Sequence, residues 1–72
     1  MTATKLLKAR IIEMGYTYIK LAVLLGISYQ TLCYKINNKL EFKASEIEKL
    51  CDILQIDDKD KYFFCLQNSQ NG

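Results

Sequence analysis

Three cysteine thiols are the side chains of this 72-residue chain with the clearest capacity for chemistry, and no histidine accompanies them. They are Cys33, Cys51 and Cys65. An odd number of cysteines cannot pair completely within one chain, and no two stand in a CxxC spacing. Three thiols also fall short of the four ligands of a structural zinc site. We therefore expect no metal site, and we interpret the cysteines as reduced thiols that pack as small hydrophobic side chains.

The lack of histidine also argues against an enzyme. It removes the usual acid-base group near neutral pH and any Ser/His or Cys/His pair. The chain has neither a GxxxxGK[ST] loop nor a GxGxxG motif. Its carboxylates stand in helical runs that are typical of a solvated face. We expect no catalysis, no cofactor and no small-molecule substrate.

Charge is distributed unevenly along the chain. Residues 1–43 carry seven basic and two acidic residues, a balance of +5, whereas residues 44–72 carry three basic and six acidic residues, a balance of −3. A basic half favours a polyanionic partner, although an excess this small supports only weak, salt-sensitive binding.

No apolar run approaches the roughly 18–20 residues of a membrane span. The first ten residues lack the apolar core of a signal peptide. We therefore expect a cytoplasmic protein without a membrane partner.

Glycines and capping residues divide the first half of the chain into helices. In LLKARIIEM, Leu7 and Ile11 stand one turn apart and predict a helix over residues 4–14, which Gly15 ends. Thr17 is a suitable N-cap for YIKLAVLL, and residue 26, a glycine, ends that run. Ser28 caps a third helix over residues 29–37, with Leu32 and Ile36 facing inward.

The second half predicts two more helices. Ser45 and Glu48 have the spacing of a capping box, which begins a fourth helix that runs to about residue 54. Phe42 precedes it as an apolar anchor. Asp57 or Asp58 then caps a short fifth helix, KDKYFFCL, and residues 67–72 form a polar tail. Phe63, Phe64 and Leu66 are apolar residues of this last region that either supply a dimer surface or close the core. The chain is therefore expected to be one all-α domain of five helices.

The spacing of Ala22, Gly26 and Leu32 predicts a helix-turn-helix over about residues 17–37. A small residue at position 22 lets the third helix cross close to the second. Gly26 supplies the bend, and Leu32 fills the angle between the helices. The alternative is a five-helix bundle in which these residues serve packing alone.

A resemblance rests on this segment. GYTYIKLAVLLGISYQTLCYKINNK resembles the helix-turn-helix of phage Cro and CI repressors and the related Xre group, over about residues 6–64. The continuation EFKASEIEKLCDIL, followed by YFF, is similar to small phage regulators of Gram-positive hosts. It is most similar to the modulator-of-repression proteins that temperate lactococcal phages encode beside their CI repressor. The resemblance implies a compact, lambda-repressor-like five-helix domain whose third helix enters the major groove of DNA.

The resemblance assigns DNA contacts to nine residues: Thr17, Tyr18, Tyr29, Gln30, Thr31, Tyr34, Lys35, Asn38 and Lys39. Gln30 is the best candidate for reading a base, because a side-chain amide can pair bidentately with adenine. Arg10 and Lys43 would also lie near phosphates. Two alternatives stay open: the lysines of this set form a solvated face, or Tyr34 packs on the first helix.

The sequence departs from the family pattern in three ways. Lys35 and Ile36 stand where an aliphatic residue and Glu are common, and Asn38 takes the place of a loop glycine. Aliphatic residues replace polar ones in the second helix. We use the name apolar patch for the five candidate partner-binding residues: Ile19, Val23, Leu24, Tyr29 and Cys33. Exposed patches of this kind usually mark a partner surface, while a core position remains the alternative for some of the aliphatic members.

Two hypotheses follow. In the first, the protein is a Cro-like homodimeric repressor that binds operator DNA by itself. In the second, it regulates a lysis/lysogeny switch by binding a cognate CI-type repressor directly through the apolar patch, in the cytoplasm of the bacterial host. The closer resemblance favours the second hypothesis. The two are compatible if one face serves DNA and the repressor in competition.

Overall fold

Five α-helices follow one another in the computed structural model, which describes residues 1–64. They are α1 (Thr4–Glu13), α2 (Tyr18–Leu25), α3 (Tyr29–Ile36), α4 (Ala44–Leu54) and α5 (Lys59–Phe63). The predicted compact all-α domain of five helices is therefore confirmed. Cys65, Leu66 and the predicted polar tail lie outside the described residues, as does the predicted end of the fifth helix.

The helix-turn-helix is held by local caps that the sequence predicts. The hydroxyl of Thr17 accepts a hydrogen bond from the Lys20 backbone N–H at 3.2 Å. The hydroxyl of Ser28 accepts one from the Thr31 backbone N–H at 3.1 Å. Gly26 ends α2 with a φ of 72°, a left-handed conformation that a Cβ would strain. These caps fix the ends of α2 and α3 on both sides of the turn.

The capping box of α4 differs from the prediction. The helix begins at Ala44, and Lys43 is its N-cap residue. The Glu46 carboxylate, rather than that of Glu48, reaches back to accept the Lys43 backbone N–H at 2.8 Å. Ser45 therefore lies inside the first turn. Three residues separate each candidate pair in the sequence, so spacing alone does not distinguish them.

Aliphatic side chains from α1 to α4 form the centre of the core. The largest fully buried ones are Leu7, Ile11, Leu21, Leu32, Ile36, Leu50 and Leu54. Phe63 of α5 closes this core, and its ring meets that of Phe42 edge to face, with 5.5 Å between the ring centroids. The prediction of Phe42 as an apolar anchor is confirmed. Phe64 stays exposed.

The N-terminal segment is bound between α3 and α5. Asn38, which follows α3, has a φ of 65°, a conformation that asparagine tolerates better than most residues. Its amide accepts the Thr2 N–H at 2.7 Å and donates to the Thr2 carbonyl at 2.8 Å. On the other side, the Ala3 N–H donates to the Tyr62 carbonyl at 2.7 Å. The segment thereby joins the end of the helix-turn-helix to the last helix.

Within residues 1–64, no helix is long and apolar enough to cross a membrane. In the same range, no three side chains among Cys, Asp and Glu are grouped so that they could hold a metal ion. Cys33 and Cys51 form no disulfide in this part of the chain.

Candidate interaction surface on the helix-turn-helix

The outward face of α2 carries three exposed aliphatic side chains and one lysine. Successive residues of an α-helix are rotated by about 100°, so the buried residues fix the direction of all the others. The buried residues of α2 are Leu21, Ala22 and Leu25. Ile19 and Val23, one turn apart, are 67% and 75% exposed. Lys20 lies between Val23 and Leu24, which is 42% exposed. The expectation that aliphatic residues of α2 are exposed is confirmed.

The outward face of α3 carries Gln30 and Tyr34. Both are exposed, and the Gln30 amide donates to the Tyr34 hydroxyl at 2.9 Å. Tyr34 is 40% exposed, so part of its ring is available on this face, and the alternative in which Tyr34 packs on the first helix stays a prediction. The Gln30 amide and the Tyr34 phenol could each bind a base edge. To do so, the pair would have to break the hydrogen bond between them.

Tyr18, Tyr29 and Cys33 meet where the N-terminal turn of α2 faces α3. The two rings lie 6.4 Å apart between centroids. Burial raises the pKa of the Tyr18 phenol, and Cys33 and Tyr29 add to the increase. A hydrogen bond with Cys33 raises the pKa of the Tyr29 phenol. Both phenols are therefore neutral at physiological pH, and this cluster adds aromatic surface without charge beside Ile19.

Lys35 does not belong to this surface. Its ammonium is bound to the Glu46 carboxylate at 2.5 Å, and the two side chains are only 7% and 8% exposed. The prediction of a phosphate contact at Lys35 is wrong, and so is the alternative of a solvated face at this position. The reason is that α4 starts directly opposite this side of α3, which places Glu46 within reach of the lysine.

Arg10 is likewise occupied within the fold. Its Nε donates to the Leu54 carbonyl at 2.8 Å, and Nη2 donates to the Gln55 carbonyl at 3.0 Å. Nη1 is paired with Glu13 at 3.0 Å. The guanidinium thus satisfies carbonyls at the C-terminus of α4. The expectation that Arg10 lies near phosphates is corrected accordingly.

Three polar candidates for phosphate contact are also hydrogen-bonded within the fold. The Asn38 amide is bound to the N-terminal segment, the Thr17 hydroxyl caps α2, and the Thr31 hydroxyl accepts from the Ser28 hydroxyl at 2.8 Å. Lys39 and Lys43 remain exposed. Because Arg10 and Lys35 are bound within the fold, the cations on and beside the helix-turn-helix surface are fewer than the sequence predicts.

Lys20 is part of this surface although sequence reasoning assigned it no contact. The helical period of α2 could have predicted this position, because residue 20 lies between Val23 and Leu24 on the helix surface. Cys33, by contrast, is half-buried, so its contribution to the apolar patch is small. On α2, Ile19 and Val23 lie to one side of Lys20, and Leu24 lies to the other.

Comparisons with known proteins give one finding. A family model described as "Protein of unknown function (DUF739)" matches residues 3–65. No curated protein and no solved structure matches the chain.

Proposed function

The chain belongs to the DUF739 family, whose description gives no function, and we propose from its surface that it is a phage-type helix-turn-helix transcriptional regulator. In this proposal it acts on a lysis/lysogeny switch by binding a cognate CI-type repressor, either to block the repressor's DNA surface or to form a mixed complex on the operator. The role requires no catalytic group and no cofactor. The sequence resemblance to modulator-of-repression proteins supports the choice of partner.

The observation that carries the proposal is the exposure of Ile19 and Val23 on a helix-turn-helix. Two neighbouring aliphatic side chains that are mostly exposed in a 72-residue domain gain free energy when a partner covers them. Tyr29, with its neutral phenol, adds the type of side chain that is enriched at interface anchors. A protein surface covers such a patch better than a hydrated phosphate backbone does.

The loss of two cations from the surface supports the same proposal. Arg10 and Lys35 are bound to internal acceptors. Binding to DNA draws much of its free energy from cations that replace counterions at phosphates. A domain with few free cations on this face therefore needs a partner for useful affinity.

A second candidate is the Cro-like homodimer that reads operator DNA by itself. Gln30 and Tyr34 on the outward face of α3 support it. This candidate requires a dimer contact, because a single small reader makes few contacts with DNA. It also leaves the exposed aliphatic residues of α2 without a role.

The test is size-exclusion chromatography with light scattering on the protein alone, on the repressor encoded beside it, and on their mixture. A stoichiometric complex is expected. A homodimer that binds operator DNA and forms no complex with the repressor would replace the proposal by the second candidate.

A further inference from the structure

The partner surface can be specified further, on the premise that the apolar patch binds a protein as proposed above. No aspartate or glutamate occurs between Glu13 and Glu41, so α2 and α3 carry no carboxylate. Their charged residues are Lys20 and Lys35, and the second of these is neutralised by Glu46 in the interior. Lys39, just beyond α3, is exposed, and its backbone N–H donates to the Tyr34 carbonyl at 2.8 Å. The exposed charged side chains of residues 18–39 are therefore cations alone, Lys20 and Lys39.

A second copy of the chain complements this surface poorly, both through the same face and through its acidic region. If two copies paired through the same face, each would bring Lys20 and Lys39 toward a surface of the same sign. Most exposed carboxylates of this chain lie on another part of the fold, on α4, in the segment before α5 and in the first turn of α5: Glu48, Asp52, Asp57, Asp58 and Asp60. Of the other two exposed acids, Glu13 on α1 is paired with Arg10, and Glu41 lies in the loop between α3 and α4. In residues 43–63, the acidic region that contains the first five of these acids, no large hydrophobic side chain is exposed. A head-to-tail contact between the apolar patch and this acidic region of a second copy would thus lack apolar anchors.

We propose that the apolar patch binds an amphipathic helix of a different protein, one whose apolar stripe is flanked by aspartate or glutamate side chains. Ile19 and Val23 form a one-turn ridge that fits between residues of a facing helix. Lys20, beside that ridge, meets a carboxylate on the edge of the stripe, and Lys39 meets another beyond Tyr34. Charge then selects the partner and raises the association rate, while the aliphatic side chains supply most of the affinity.

The experiment measures binding by isothermal titration calorimetry, with the DNA-binding domain of the neighbouring repressor as the probe. Lys20→Glu and Lys39→Glu are compared with Lys49→Glu and Lys61→Glu, which make the same charge change at exposed positions outside the patch. The two patch variants are expected to weaken binding about three- to tenfold at low salt, and less at high salt. The two control variants are expected to stay within about twofold, because exposed charges outside an interface are screened.

Each other outcome decides between alternatives. If Val23→Asp abolishes binding while both patch lysine variants leave it unchanged, the acidic partner is wrong and the proposed protein interface stands. If Val23→Asp leaves repressor binding unchanged, the proposed function fails as well. A wild-type homodimer that Val23→Asp converts to a monomer would show that a second copy covers the patch. Loss of affinity for operator DNA, and not for the repressor, in the patch lysine variants would assign these cations to phosphates.

Discussion

The Lys35 ammonium and the Glu46 carboxylate form a buried ion pair that joins α3 to the first turn of α4. The same carboxylate accepts the backbone N–H of Lys43, so one side chain both begins α4 and neutralises the only lysine inside α3. The pair fixes how the second helix of the helix-turn-helix sits against the rest of the domain. It also removes a positive charge from the surface proposed to bind a partner.

Lys35→Met is expected to destabilise the domain by about 3–5 kcal/mol, because it leaves a buried carboxylate without its cation. Lys35→Met combined with Glu46→Gln is expected to recover most of this loss, since the glutamine carbonyl can still accept the Lys43 N–H and no charge remains buried. Urea unfolding followed by circular dichroism measures both. Lys49→Met, at an exposed position of α4, is the control. A double variant no more stable than the single one would contradict the account.

Acid is expected to weaken the domain through Glu46. Burial by itself raises the pKa of this carboxyl, but the hydrogen bonds from Lys35 and the Lys43 backbone outweigh burial, and the pKa is lowered. A carboxyl with a lowered folded-state pKa adds stability above its unfolded value of about 4.5, and that stability is lost as the pH falls through the folded-state value. Urea midpoints between about pH 6 and 3 should fall more steeply for wild type than for Glu46→Gln. Glu48→Gln, on the same helix but exposed, should follow wild type.

Val23→Asp is expected to abolish repressor binding and leave the fold intact. The side chain is 75% exposed, so its free energy of unfolding should change by about 0.5 kcal/mol or less. The matched control is Ile12→Asp, because Ile12 is 76% exposed on α1, outside the helix-turn-helix. Thermal unfolding and light scattering of the mixture with the repressor give both readouts. A Val23→Asp protein that fails to fold would refute the exposure on which the apolar patch depends.

Gln30→Ala tests the second candidate function. If Gln30 reads a base, the variant should lose about 1–3 kcal/mol of affinity for operator DNA and keep its non-specific DNA binding. Tyr34→Phe is the control: it removes the hydroxyl that accepts from the Gln30 amide but keeps Gln30 itself. An effect of Gln30→Ala that Tyr34→Phe does not share is therefore due to the amide and not to the lost hydrogen bond. Fluorescence anisotropy with operator and scrambled oligonucleotides measures the difference. Equal loss on both oligonucleotides would argue against base reading by Gln30.

Arg10→Ala is expected to cost about 1–3 kcal/mol of stability, because it leaves two carbonyls at the end of α4 without their donor. The salt dependence of any DNA binding should stay the same, since this guanidinium is not a phosphate contact. Glu13→Gln removes only the exposed ion pair and should change stability by about 0.5 kcal/mol or less. A shallower salt dependence in Arg10→Ala would return this residue to the DNA surface.

The sequence by itself determined the five helices and the ends of α2 and α3, although it misplaced the N-cap of α4. Thr17, Ser28 and Gly26 act within four residues of their own position, so their types and spacing predict the ends of α2 and α3 directly. The aliphatic period of α2 likewise predicted that some residues face solvent, because Leu21 and Leu25 already fill the inner side. These interactions join residues that are close in the sequence, so they can be predicted from residue types and spacing alone.

Only the tertiary structure decided which polar side chains are free to bind a partner. Lys35, Arg10 and Asn38 find acceptors or donors 11, 44 and 36 residues away along the chain. Each has a side chain long or polar enough to serve either the surface or the interior, and helical spacing does not distinguish these roles. The choice depends on which helix packs opposite. That packing bound Arg10 of α1 and Lys35 of α3 to internal partners and left Ile19, Val23 and Lys20 exposed on α2.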